Sequence, residues 1–261
     1  MKVDLRTKAG HVLTFIADPS TTLSEQDISA MLPECVVITR SGFGTDTITE
    51  SDVAIHALQV PFGAYLAVDG TLVAFSSASL LSTGALDTPV LYLGGTAISK
   101  EAQGAGFYWP MILTRFALGV EAGARHFTTR TQNPRVCKAL TSFGPYPWTA
   151  GTEVLAPVAA EVAADLFTHA SDFQRPGGLL FEPEVGVVRQ AYEHPMYPET
   201  FWSGDSDIDK MFREHISVEG GDAVIVVGPI DPSACAARSL QTFDFDFDEL
   251  RARIRPLLGD S

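Results

Sequence analysis

The sequence predicts an α/β fold, a central sheet with helices packed around it. Three observations predict it. Two apolar, β-forming runs, 64–68 and 71–80, flank Asp69-Gly70, and Asp-Gly between such runs is a strong two-residue hairpin signal. The run Val90–Ser99 is apolar and rich in β-formers, long enough for a buried strand. It leads through Gln103-Gly104-Ala105-Gly106 into an apolar helical stretch, Phe107–Val120.

Taken in order, residues 1–40 read as strand, helix, strand. His11–Ala17 is apolar, Thr22 or Ser24 can cap a helix through Met31, and Cys35–Thr39 is a β-branched run. Ser41-Gly42-Phe43-Gly44 reads as a loop. Thr49-Glu50-Ser51-Asp52 is a helix start, with acids near the positive end of the helix dipole, and that helix runs to Leu58. The hairpin follows, then the long strand. Gly94 and Gly95 interrupt that strand, and glycine there marks a bulge or a close backbone approach.

Gly123 ends a turn, His126–Thr131 reads as a strand, and Asn133-Pro134 opens a helix through Ser142. Further on, Ala159–Phe167 reads as a helix and Arg175-Pro176-Gly177-Gly178 as a turn. Gly186–Ala191 and Asp222–Ile230 read as strands, and Phe243-Asp244-Phe245-Asp246-Phe247 leads into a terminal helix ending near Leu258. Tyr192–Trp202 is an aromatic, Pro-containing loop of the kind that lines a pocket or packs on a surface. Ser203–Asp209 alternates carboxylates as a calcium loop does. Lys210 and Ile216 stand where such a loop needs Gly and Glu, so helix capping by Asp205 or Ser206 accounts for the acids.

Composition limits the partners. The chain has 261 residues, is 46% hydrophobic and carries a net charge of −14. Nucleic acid and anionic membrane are poor partners for such a charge, and no apolar run reaches the length of a membrane span. Cys35, Cys137 and Cys235 lie too far apart in sequence for a paired metal motif or a disulfide framework. No metal is expected, and a reducing cytoplasm is the simplest compartment. The segment 95–138 goes against the general charge, with six bases (Lys100, Arg115, Arg125, Arg130, Arg135, Lys138) against two acids (Glu101, Glu121).

Small residues just before a helix let backbone N–H groups point at an anion, and the helix dipole adds to the pull. A broken strand feeding such a loop suits a long ligand with a pyrophosphate. A dinucleotide fold would also place Gly104-x-Gly106 after a strand, but its third glycine would fall at Trp109.

The stretch resembles the GNAT acyltransferase superfamily. Its loop pattern is Gln/Arg-x-x-Gly-x-Gly/Ala after an apolar strand end, matched here by Gln103, Gly106 and Ile98, with Tyr108 in the last place. A second pattern, Asn-x-x-Ala with a later Tyr and Gly-Phe, is met by Asn133, Val136 for Ala, Leu140 for the Tyr, and Gly144 followed by Pro145. The order hairpin, strand, loop, helix, strand, helix also agrees. The resemblance covers roughly 36–150. It divides the chain into an N-terminal strand and helix extension (1–35), an acyl-CoA-binding core (36–150) and a C-terminal extension (151–261).

The resemblance implies a mixed, mostly antiparallel sheet and acetyl-CoA or another acyl-CoA as co-substrate. Gly95, Thr96, Ala97 and Ile98 would bind the pantetheine arm and acyl oxygen through their backbone. Gln103, Gly104, Ala105, Gly106, Phe107 and Tyr108 would hold the pyrophosphate, and Asn133 and Val136 the arm. The three phosphates fit the positive segment. Leu140 removes the usual tyrosine acid, and no carboxylate lies in Val90–Ser99 or 126–132. Tyr92, His126 and Cys137 are the remaining catalytic candidates, and a structural place suits each as well.

The implied activity is acetyl transfer to a small-molecule amine, a cationic one suiting the acidic chain, by a monomer or homodimer. Two alternatives stay open: a non-catalytic acyl-CoA-binding module, and a biosynthetic acyltransferase fed by a carrier protein.

Overall fold

The computed structural model describes residues 1–84, 86–143, 161–163, 180–182, 184–192, 195–198 and 200–259. Among them are the strands β1 (Lys2–Arg6), β2 (Val12–Ala17), β3 (Phe62–Val68), β4 (Thr71–Leu81), β5 (Val90–Ile98), β6 (His126–Thr131), β7 (Phe181–Glu182), β8 (Val187–Val188) and β9 (Ala223–Pro229). The helices are α1 (Pro19–Thr22), α2 (Glu25–Phe43), α3 (Glu50–Ala57), α4 (Tyr108–Glu121), α5 (Pro134–Leu140), α6 (Ser206–His215), α7 (Pro232–Thr242) and α8 (Phe247–Ile254). The hydrogen-bonded strand order is β1-β2-β3-β4-β5-β6-β9-β8-β7. The β5/β6 ladder is parallel, and those of β1/β2, β2/β3, β3/β4, β6/β9, β8/β9 and β7/β8 are antiparallel. This is the expected fold class, a mixed, mostly antiparallel sheet flanked by helices.

Contacts divide the chain into two units: Met1–Ser79, Leu93–Ala122 and Pro232–Ser261 in the first, Leu80–Tyr92 and Gly123–Asp231 in the second. In the first, β3 and β4 turn through Asp69 (φ 50°) and Gly70 (φ 80°), as the Asp-Gly signal predicts. Ser24 and Thr49 each accept a hydrogen bond from the backbone N–H three residues on, at Asp27 and Asp52. The two carboxylates bond back to the cap N–H groups, so α2 and α3 both begin in capping boxes.

The β-branched run Cys35–Thr39 is helical, not a strand. It lies in α2, which runs past Met31 to Phe43 and takes in three residues of the expected loop; Gly44, at φ 71°, caps it. Cys35, Ile38, Thr39 and Gly42 are buried, a helical spacing that overrides β-propensity. Pro33 sits on the exposed side of the same helix. Cys35, Ile38, Val53, Tyr65, Phe75 and Ala97 share one apolar cluster, and the Tyr65 hydroxyl donates to the Ala57 carbonyl at the end of α3. Arg251 and Arg255 ion-pair with Glu121 at 2.8 Å, which ties the C-terminus to the end of α4. The hydrogen bond from Arg255 is the chief reason the Glu121 carboxyl is held below its usual range. Neither β1 nor α7 was expected from sequence.

In the second unit β6 pairs in parallel with Val90–Tyr92 and antiparallel with all of β9. Expected Gly186–Ala191 shortens to β8, and Asp205 caps α6 as expected, accepting from the Asp207 and Ile208 N–H groups. Asp222 accepts from Arg189 Nη1 at 2.6 Å and from the Gln190 and Ser217 N–H groups at 3.0 Å, while Arg189 also binds Glu182. The closing Gly144 and the 175–178 turn lie outside the described residues, as does most of the expected helix 159–167; 161–163 are helical. No described helix is long and apolar enough to cross a membrane.

Candidate functional site

In the first unit the C-terminal part of β5 is half-buried over Gly94–Thr96, while Ala97 points into the core. Gly94 is a close-approach position: a Cβ there would run into the Ser77 hydroxyl. Gly95 faces α3, where a Cβ would sit 3.4 Å from His56 Cβ and 3.9 Å from its Nδ1. Past Ile98 the chain is pinned on both sides, Ser99 N–H donating to the Val73 carbonyl at 2.9 Å and Lys100 N–H to Ser41 Oγ at 3.2 Å.

Gln103 does not turn its amide to solvent. Its Nε2 bridges the carbonyls of Gly42 (2.8 Å) and Ile98 (3.2 Å), lashing the loop to the end of α2. Gly104 and Gly106 adopt φ 84° and 82°, in the left-handed region that favours glycine, and Gln103–Gly106 is exposed. The helix α4 begins at once, with no side-chain cap at Phe107. No side-chain oxygen competes at this helix start, where the Trp109 N–H donates to the Gly106 carbonyl at 3.1 Å and Pro110 brings no N–H, and the positive end of the helix dipole faces the loop.

Two side chains far off in sequence border this loop. The His11 ring meets Phe107 edge-on at 5.2 Å, and the Arg238 guanidinium lies 4.2 Å over the Trp109 ring. Arg115, counted in the positive segment, is elsewhere: it is buried and donates to the Met111 and Ser77 carbonyls at 3.2 and 3.3 Å. Burial lowers its pKa to about 10.

The remaining sequence candidates belong to the second unit. Tyr92 is buried on β5 and His126 half-buried on β6, with burial, then Arg125, pulling the imidazole below its usual value. Asn133 caps α5, its Oδ1 accepting the Arg135 N–H at 2.9 Å, and its side chain hydrogen-bonds Tyr197. Burial pushes the Tyr197 phenol up to about 12. Val136 is half-buried; Cys137 and Leu140 are wholly buried. Burial raises the Cys137 pKa strongly and keeps it a thiol. Cys137→Ser is expected to lower stability by about 1–3 kcal/mol, the cost of burying a hydroxyl, with thiol release unchanged; thermal unfolding and a thiol assay check this.

Arg135 and Lys138 are engaged by the Trp202 and Ser203 carbonyls, and Arg130 stacks on Tyr192. A groove of about 270 Å³ lies in the same unit, lined by Phe212, Arg213 and Ile216 and by Thr200 and Trp202 of the aromatic 192–202 loop; none of the residues expected to bind the co-substrate or to act in catalysis lines it. Among the described residues no cluster of His, Cys, Asp and Glu could hold a metal. The sequence reasoning missed His56, His11 and Arg238, which no motif or spacing links to the strand or the loop.

No family model matches the chain, and no curated protein does. Solved structures similar to it include the ribosomal-protein alanine N-acetyltransferase of Escherichia coli, at 13% identity and TM-score 0.40 over 84% of this chain and 94% of that one. The GNAT domain of S. lividans PAT is similar at 15% identity and TM-score 0.37, over 54% and 83%. A GNAT family acetyltransferase from Brucella melitensis, solved with acetyl-CoA, is similar at 17% identity and TM-score 0.33, over 45% and 74%.

Proposed function

We propose that this chain is an acyl-CoA-dependent N-acyltransferase of the GNAT kind, moving an acetyl group from acetyl-CoA to an amine of a small molecule. The observation that carries this reading is the exposed Gly104–Gly106 loop. Two left-handed glycines stand directly before a long helix that has no side-chain cap. A diphosphate is the ligand such a loop suits, since glycine lets it approach the backbone closely. The strand before the loop supports the reading. Its parallel ladder with β6 ends at Tyr92↔Thr128, just before the Gly94-Gly95 pair.

In this reading the backbone of 104–108 holds the diphosphate. The backbone of Gly95–Ile98 accompanies the pantetheine arm and offers an N–H to the acyl oxygen. The amine nitrogen attacks the thioester carbon, the C–N bond forms, and the C–S electron pair leaves with sulfur. A preset N–H donor where the oxyanion develops is the chief catalytic contribution of such a strand.

Calorimetry with CoA tests the loop. Gly106→Asp places a carboxylate against the phosphates, so affinity should fall at least about tenfold. Gly106→Asn is the control, because asparagine tolerates the left-handed backbone and carries no charge. Equal CoA affinity in the parent and the Asp variant would sink the loop assignment.

A non-catalytic acyl-CoA-binding module is the second reading. Neither β5 nor β6 contains a carboxylate, and a buried leucine stands at Leu140. A parent that binds acetyl-CoA yet releases no thiol with polyamines, amino acids, amino sugars or an acyl-carrier protein present would favour it.

A further inference from the structure

Acyl transfer to an amine requires that the nitrogen lose a proton as the C–N bond forms, because the attacking lone pair is otherwise occupied. The strand assigned to the thioester holds no group that could take it. Val90–Ile98 contains no carboxylate, and its one titratable side chain, Tyr92, is buried.

What lies beside Gly95 is His56. The three atoms nearest the position of a Gly95 Cβ all belong to it: Cβ at 3.4 Å, Cγ at 3.7 Å and Nδ1 at 3.9 Å. His56 stands in the last turn of α3 and is exposed, so a small amine can reach its ring from solvent. Its helix is firmly placed, with a capping box at its start, Tyr65 bound to the Ala57 carbonyl and Ser20 N–H bound to the Leu58 carbonyl. Asp52, one turn earlier, interacts electrostatically with His56. Any side chain at position 95 would stand between the strand backbone and the imidazole.

We infer that His56 is the general base of the proposed transfer, taking the proton from the acceptor amine as its nitrogen bonds the acyl carbon. The inference rests on the acyltransferase reading above. The proton passes from the amine nitrogen to an imidazole nitrogen while the C–S bond breaks. The sulfur leaves as a thiolate and takes a proton from water, and the imidazolium returns its own to water.

A histidine in the last turn of a helix also suits the helix dipole, and that role predicts a different outcome. Thiol release from acetyl-CoA is measured for the parent, His56→Ala and His56→Gln with the same amine panel, alongside CoA affinity and thermal unfolding. Loss of a general base should lower kcat by about 100-fold or more, with CoA affinity unchanged in both variants. Imidazole in the buffer should restore at least about tenfold of the lost turnover to the alanine variant and none to the parent. An active parent with variants of similar kcat overturns the assignment and leaves the acyltransferase reading intact. So does a loss that imidazole does not restore. A parent that releases no thiol with any amine overturns the acyltransferase reading, and this assignment with it.

Discussion

Gly95→Val is expected to abolish thiol release from acetyl-CoA, by about 100-fold or more, while CoA affinity stays within about threefold of the parent. Two branched methyl groups would project from β5 toward His56, whose Cβ already lies only 3.4 Å from where the first added carbon would sit. That space is where the proposed mechanism needs both the acyl carbon and the incoming amine. The phosphate loop lies beyond Ile98 and is held independently by Gln103 and Ser41. Binding and chemistry should therefore separate in this variant. Gly95→Ala grades the effect, since one carbon makes ordinary contact with His56 and leaves part of the space open. Calorimetry and the thiol assay on the same preparations decide it. A valine variant that still turns over would remove the acyl group from this stretch of β5.

Local signals carried most of the fold. Asp69-Gly70 marked its hairpin because both residues must take positive φ, and few residue pairs do so readily. Thr49 and Asp52 marked the start of α3, and Asp205 that of α6, because capping is a contact between near neighbours. Failures came where distant partners decide. Cys35–Thr39 looks like a strand by residue type, yet its buried positions line one face of α2 over the Tyr65 and Phe75 core. The short run Lys2–Arg6, with only Val3 and Leu5 apolar, is a strand because β2 pairs with it along its whole length.

The candidate site divides the same way. Gly104 and Gly106 were legible, since a positive φ before a helix leaves a mark in composition. Gln103 was legible as a position but not as a contact; only the folded chain brings Gly42 within 2.8 Å of its amide. The charge count over 95–138 mixed unlike residues. Arg115 lies in the core, whereas Arg238, over a hundred residues further on, reaches the start of α4. His56 left no trace in sequence, because only the folded chain brings it to Gly95.

Gly42→Val should destabilise the chain and weaken CoA binding together. A Cβ at Gly42 would run into the Ile98 carbonyl oxygen, with Ile98 C at 3.2 Å and Gln103 Nε2 at 3.6 Å. The obstacle is backbone, so no rotamer change relieves it; α2 or the end of β5 must move. Forcing added carbons into a packed contact costs about 1–3 kcal/mol. The Gln103 bond to the Gly42 carbonyl, worth about 1 kcal/mol, is strained at the same time. A loss of about 3 kcal/mol lowers the unfolding midpoint by roughly 6–12 °C at this chain length. The effect reaches the ligand because Gln103 fixes the loop to α2, and Gly104 and Gly106 follow it directly. Ser41→Ala, which removes only the hydroxyl that accepts the Lys100 N–H, should shift the midpoint far less. Differential scanning calorimetry with and without CoA measures both consequences. An unchanged midpoint and parent-like CoA affinity in Gly42→Val would mean that the seat of the loop does not depend on this contact.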